Sequence, residues 1–205
     1  MKLLAKVCGL TTAEDAQFAL TRGAELLGFV HHPPSPRHCA DIPSASAATG
    51  SKGVLVRVGE DAEAMIAQAK AAGLGWIQPH AGAARAEVAA AIRAAGLKVL
   101  LPWPDEPGQE PVEADLYLWE PSPKLTGVQG GSGQAHGALH PPPGPFLLAG
   151  GLDGPTLQQR LGALPTETKR LLRGVDAASR LEAAPGRKDP LKVAAFLEHA
   201  HALHL

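Results

Sequence analysis

Short runs of consecutive apolar residues alternate along this chain with longer stretches in which alanine and leucine recur at helical spacing. Leu3-Leu4-Ala5-Lys6-Val7-Cys8 predicts a buried strand that stops at Gly9, residues 13–22 a helix closed by Gly23, and residues 25–30 a second strand. Thr11-Thr12-Ala13-Glu14 fits a capping box at the start of that helix. The unit then recurs. Residues 54–58 form a strand, 61–72 a helix with Ala62, Met65, Ile66 and Ala69 on one face, 76–78 a strand, 83–95 a helix and 97–101 a strand. Gly23, Gly73 and Gly96 stand where a left-handed residue ends a helix within one turn, which lets the chain drop straight into the next strand.

Beyond residue 101 the pattern loosens. Residues 102–112, rich in proline and acid, predict a loop, and residues 115–119 a sixth strand ending at Glu120. Residues 121–145 are too crowded with proline and glycine for a regular helix. A loop this long inside a compact domain points to function, so we expect it to lie over the site, with the sixth helix reduced or missing. Residues 146–149 and 170–175 predict the last two strands, and 155–163 and 190–203 the last two helices.

Eight apolar strands joined by crossovers of the usual hand predict an α/β chain closed into a single (β/α)8 barrel, near-minimal and spanning residues 1–205 as one domain. The competing open, doubly wound sheet requires a glycine-rich dinucleotide loop after the first strand, and Cys8-Gly9-Leu10-Thr11 lacks those glycines.

The formal net charge of -1 and the lack of a lysine or arginine run give no reason to expect nucleic acid or an anionic membrane as partner. No apolar run approaches the roughly 20 residues of a membrane span, and the N-terminus lacks a secretory pattern, so we expect a cytoplasmic chain with a small-molecule partner, as monomer or homodimer. Cys8 and Cys39 are then expected to be reduced. The histidine-rich tail from His199 to His204 supplies no closed ligand set, and no metal or cofactor is expected.

In a barrel the loops after the strands converge on one face. Those loops carry Cys8; then His31, His32, Ser35 and Arg37; then Gln78 and His80; then Glu120; then Gly150 and Gly151; and last Asp176 and Ser179. Leu148-Ala149-Gly150-Gly151-Leu152 and Gly174-Val175-Asp176-Ala177-Ala178-Ser179 can offer bare backbone N–H groups to a phosphate, although glycines also simply turn a chain. A cysteine ending a buried strand, taken alone, reads as packing.

Six segments taken together change that reading. Lys6-Val7-Cys8-Gly9-Leu10-Thr11, the run from Gly28 to Arg37, Gln78-Pro79-His80, Gly130-Gly131-Ser132-Gly133, Leu148–Leu152, and Gly174-Val175-Asp176 followed by Pro185-Gly186-Arg187-Lys188-Asp189 resemble, in order and spacing, the phosphoribosylanthranilate isomerases of tryptophan biosynthesis. The resemblance implies an Amadori rearrangement with Cys8 as general base and an acid at the end of the sixth strand. It also implies Arg37 on the anthranilate carboxylate, Gln78, His80 and Asp176 lining the substrate site, and phosphate on Gly150, Gly151, Ala178 and Ser179. An arginine fork suits a carboxylate, and a thiolate base suits a site with positive potential, for which Lys6 and helix N-termini are candidates.

Three departures stand out. The ungapped match puts Glu120 where the family has aspartate, while a slip of one residue would put Trp119 there and leave no acid. The last turn reads Ala178-Ser179-Arg180 where the family has Ser-Ser-Gly, and Pro79 and Ala81 replace a leucine and a glycine around His80. These departures motivate an alternative, a phosphate-ligand-binding barrel impaired in catalysis.

Overall fold

The computed structural model describes residues 2–121 and 139–203. Eight parallel strands close into a barrel in sequence order: β1 (Leu4–Cys8), β2 (Leu26–His31), β3 (Gly53–Val58), β4 (Trp76–His80), β5 (Lys98–Trp103), β6 (Leu116–Trp119), β7 (Phe146–Leu148) and β8 (Leu172–Ala177). Closure is made by β8 pairing with β1, with Lys6 opposite Asp176. Outside lie the helices α1 (Ala13–Thr21), α2 (Ile42–Ser46), α3 (Ala62–Ala71), α4 (Arg85–Ala94), α5 (Gly154–Gly162), α6 (Thr166–Lys169) and α7 (Pro190–Ala202). The connection from β5 to β6 is irregular, as its prolines predict. The expected reduced sixth helix and the Gly130–Gly133 motif fall on residues 122–138, outside the described residues.

Strands buried on both faces sort their side chains by alternation. Leu3, just before β1, and Ala5 and Val7 on it join the apolar layer between sheet and helices, whereas Cys8 joins a separate cluster with Leu26, Val54, Val56, Leu100, Leu116 and Leu147 that fills the lumen. This alternation decides the site, because every second residue of a strand end faces the barrel mouth.

Several expected boundaries move. The cap of α1 is Thr12, which accepts from the Asp15 N–H at 3.1 Å, so the box predicted at Thr11 lies one residue too early. Helix α2 has no counterpart in the predicted pattern; its signal is local, with Asp41 capping Ser44 and Pro43 in the first turn. Strand β8 begins at Leu172 rather than residue 170, since Thr166–Lys169 forms a helical turn, and it runs on through Asp176.

Glu25 ties the lower rim together. Its Oε2 accepts from the Ala5 N–H at 2.9 Å and meets His201 Nε2 at 3.2 Å, and its Oε1 accepts from Lys2. Burial alone would raise its pKa, but the Ala5 N–H, Lys2 and His201 outweigh it and hold the carboxyl below its ordinary 4.5. The unfolded chain therefore binds this proton at higher pH than the fold does. The stability it contributes is present in full above about pH 4.5 and lost as pH falls through the lower folded value. We expect the urea midpoint to fall more steeply as pH drops below the ordinary 4.5 in the parent than in Glu25→Gln; parallel curves would refute this role.

Candidate active site

At the C-terminal mouth of the barrel a cavity of about 240 Å³ is lined by Gln78, His80, Glu120, Gly150, Gly151, Asp176, Ala178 and Ser179. These residues come from β4, β8 and the loops after β6, β7 and β8, and all eight belong to the set marked in the sequence. A wider cavity of about 620 Å³ toward the β4–β5 side shares His80, Leu118 and Glu120 with it.

Glu120 owes its place to strand alternation. Leu118 packs against the lumen cluster, while Trp119 is fully buried in the outer layer, 5.4 Å edge-on from Phe146, with its Nε1 donating to Asp105 at 3.3 Å. The next residue turns inward, so the carboxyl at this strand end belongs to Glu120 and the one-residue slip to Trp119 is excluded. A glycine makes room for it: a Cβ on Gly150, whose φ is +94°, would lie 2.8 Å from Glu120 Cγ.

Cys8 does not line the cavity itself. It is 8 % exposed and belongs to the lumen cluster against which Leu118 and Ala178, two cavity residues, also pack. Its sulfur sits over Gly28, its register partner on β2, where a Cβ would come within 2.7 Å. Below it, Lys6 is completely buried and donates to Asp176 Oδ1 at 2.9 Å. Burial alone would lower the Lys6 pKa, but Asp176 and the Cys8 sulfur outweigh it and hold the ammonium above its ordinary range. The thiol thus stands on a fixed positive charge. Asp176, read from the sequence as facing substrate, is committed through Oδ1 to that ammonium while still lining the cavity.

Gln78 and His80 are strand residues rather than loop residues, two apart on β4 and therefore on one face. Gln78 Nε2 lies 3.1 Å from His80 Nε2, which leaves the buried Gln78 Oε1 without a partner among the described residues. Although His80 opens onto the mouth, desolvation of its ring, then Lys6 and His32, hold its pKa below the ordinary value, so the neutral imidazole is the resting form at neutral pH. A buried orphan acceptor facing a cavity is suited to a ligand hydroxyl.

Among the described residues, the N–H groups of Gly151 and Ser179 donate to no backbone acceptor. The cation that replaces the family glycine, Arg180, lies at the edge of the same cavity with Nη1 3.3 Å from Asp153 Oδ2. Asp153 is occupied as the cap of α5, accepting from the Thr156 N–H at 2.9 Å.

Arg37 lies outside the cavity, across Gly9, where a Cβ would be 2.8 Å from Arg37 Cδ. Its guanidinium is already engaged by Glu182, with Nε donating to Oε1 at 2.7 Å and Nη2 to Oε2 at 2.8 Å. Ser35, His31 and His32 do not converge on the cavity. Ser35 Oγ accepts from the Arg37 N–H at 3.1 Å, the His32 N–H donates to His38 Nδ1 at 3.2 Å, and His31 packs edge-on against His38. Sequence reasoning missed Glu182 altogether and assigned no role to Lys188 or Gly28. Glu182 carries no signal toward the mouth in the sequence, because Arg37, the partner that links it there, is 145 residues away. No cluster of three or more His, Cys, Asp or Glu side chains among the described residues is arranged to hold a metal ion, and no helix among them is long and apolar enough to cross a membrane.

The family model described as N-(5'phosphoribosyl)anthranilate (PRA) isomerase matches residues 5–199. The N-(5'-phosphoribosyl)anthranilate isomerase of Azorhizobium caulinodans is 36% identical over 221 residues, covering 98% of this chain and 93% of that protein. TrpF from Jonesia denitrificans superposes with a TM-score of 0.74 at 29% identity, covering 97% of this chain and 96% of its own. The phosphoribosyl anthranilate isomerase from Thermus thermophilus does so at 0.72 and 28%, covering 98% of this chain and 100% of its own. With a matching barrel, a mouth built from the residues the sequence marked, and a family match across nearly its whole length, the chain belongs to the N-(5'-phosphoribosyl)anthranilate isomerase family.

Proposed function

We propose that this barrel converts N-(5-phosphoribosyl)anthranilate to 1-(2-carboxyphenylamino)-1-deoxyribulose 5-phosphate, with Glu120 as general acid and Cys8 as general base. The observation that carries the reading is that Glu120 shares one cavity with the N–H groups of Gly151 and Ser179, which donate to no backbone acceptor among the described residues. That arrangement lets one small molecule be held by a phosphate at one end and protonated further along. Protonation of the ribose ring oxygen by Glu120 opens the furanose as the anilino nitrogen pushes its lone pair toward C1′, giving an iminium. Cys8, two residues along β1 from the Lys6 ammonium, then takes the proton from C2′. The electrons left on C2′ neutralise the iminium, and the resulting enolamine tautomerises to the ketose. Glu120 and Cys8 supply the two proton transfers that lead to the enolamine, and its tautomerisation adds a proton at C1′ as the C2′ hydroxyl loses one.

Gly150, Gly151, Ala178 and Ser179 form the phosphate end in this reading, with Arg180 adding a cation at its edge. The unpartnered Gln78 Oε1 and neutral His80 receive the sugar hydroxyls. Asp176 acts through Lys6, fixing the ammonium that lies beneath Cys8. The experiment is a turnover assay with N-(5-phosphoribosyl)anthranilate generated in situ, beside a binding measurement with the reduced product analogue. Turnover supports the isomerase. Binding without turnover would leave only the impaired phosphate-ligand-binding barrel.

A further inference from the structure

Glu182 opens the short hairpin formed by β9 (Glu182–Ala184) and β10 (Arg187–Lys188), which packs beside the barrel mouth rather than in its wall. Its side chain is 5 % exposed, yet its carboxylate reaches two cations. One is Arg37, engaged through both Nε and Nη2. The other is Lys188, whose Nζ donates to Glu182 Oε1 at 3.2 Å and to the Ala178 carbonyl at 3.0 Å. Burial alone would raise the Glu182 pKa, but Arg37 and Lys188 outweigh it and hold the carboxyl below its ordinary value, so it is ionised at neutral pH. The hairpin is tied down on either side, because Lys192 Nζ donates to the Glu182 carbonyl at 2.8 Å and Thr11 Oγ1 to the Gly186 carbonyl at 3.0 Å.

An arginine presents five N–H donors in a rigid fork. Glu182 takes Nε and one hydrogen of Nη2, along one edge of the guanidinium. The other edge, formed by Nη1 and the second Nη2 hydrogen, still offers two parallel donors, the pattern a second carboxylate accepts. Because Lys188 also shares the Glu182 carboxylate, that carboxylate does not fully neutralise the Arg37 guanidinium, which keeps positive charge for a second carboxylate. The rotamer freedom that a free arginine would lose on clamping a ligand is already lost in the folded protein.

We infer that Glu182 is a positioning residue for substrate recognition: it holds the open edge of Arg37 toward the carboxylate of the aromatic arm. Through Lys188 it fixes that edge relative to the Ala178-Ser179 turn. The inference rests on the role the family resemblance implies for Arg37, on the substrate carboxylate, and on the phosphate reading proposed above for that turn. It makes the hairpin a spacer between the two anionic ends of the substrate, so that a ligand is selected for carrying both groups at one separation.

The test compares the affinities of two stable product analogues, the reduced carboxyphenylamino deoxyribulose phosphate and its counterpart lacking the carboxylate, for parent, Glu182→Gln and Glu182→Asp. The parent is expected to prefer the carboxylated analogue by about 10- to 100-fold, the range for a charge-assisted bidentate pair. Glu182→Gln loses most of that preference while its affinity for the carboxylate-free analogue stays within about threefold of the parent. Glu182→Asp keeps the charge but is too short to span both guanidinium nitrogens, so its preference shrinks as well, and it serves if the glutamine variant does not fold. A preference equal to the parent's in either folded variant, or equal weakening of both analogues, overturns the inference. No preference in the parent itself would instead overturn the assignment of Arg37 to the carboxylate, and the inference with it.

Discussion

Cys8→Ser lowers kcat by about 100- to 10,000-fold, the range over which a positioned general base contributes. Serine preserves the shape of the site, and its hydroxyl fits over Gly28 where the sulfur now sits. An alcohol stays protonated at neutral pH even beside the Lys6 ammonium, so the variant loses the base while keeping the cavity. Affinity for the reduced product analogue is therefore expected to stay within about threefold of the parent, since binding that compound transfers no proton. Turnover within about threefold of the parent would remove Cys8 from the mechanism.

Glu120→Gln produces a loss of the same order, about 100- to 10,000-fold in kcat, because the amide occupies the same space but has no acidic proton for the ring oxygen. Glu120→Asp separates acidity from reach. It restores the residue typical of the family but draws the carboxyl back by about an ångström, a displacement that can cost up to about 100-fold. We expect it to fall between parent and Gln. Gly150→Ala makes the complementary test, since a Cβ there would lie 2.8 Å from Glu120 Cγ and displace a chemically intact acid. Full activity in the Gln variant would assign the proton to another group, and full activity in Gly150→Ala would show that the position of the carboxyl is not critical.

Much of the barrel is legible in local sequence, since seven of its strands need only an apolar run bounded by glycine or proline to be recognised. Strand β8 was placed two residues early because Thr166–Lys169 and Leu172–Ala177 form one stretch without a breaker until Gly174. Helix α2 escaped because five residues carry too little periodicity to register, so only its Asp41 cap and Pro43 mark it. The functional set divides in the same way. Gln78, His80, Glu120, Gly150, Gly151, Asp176, Ala178 and Ser179 stand at strand ends, and barrel closure gathers strand ends on one rim, so each could be listed without coordinates. Ser35 and His32 meet the same criterion yet turn away, because a loop long enough to bond to itself need not follow the strand it leaves, and His31, the last residue of β2, packs on His38 of that loop.

By itself, then, the chain order of apolar runs, glycines and strand-end polar residues determined a (β/α)8 barrel, the rim on which its chemistry gathers and the family to which its motifs are similar. Only the tertiary structure decided that Glu120 rather than Trp119 faces the mouth, that Lys6 is buried against Asp176, and that Arg37 is clamped by Glu182. The reason is range. Strand and helix periodicity are set by neighbours a few residues apart, whereas a buried ion pair between residues 6 and 176, or 37 and 182, exists only after closure has brought β8 against β1 and expelled the water that would otherwise solvate those charges.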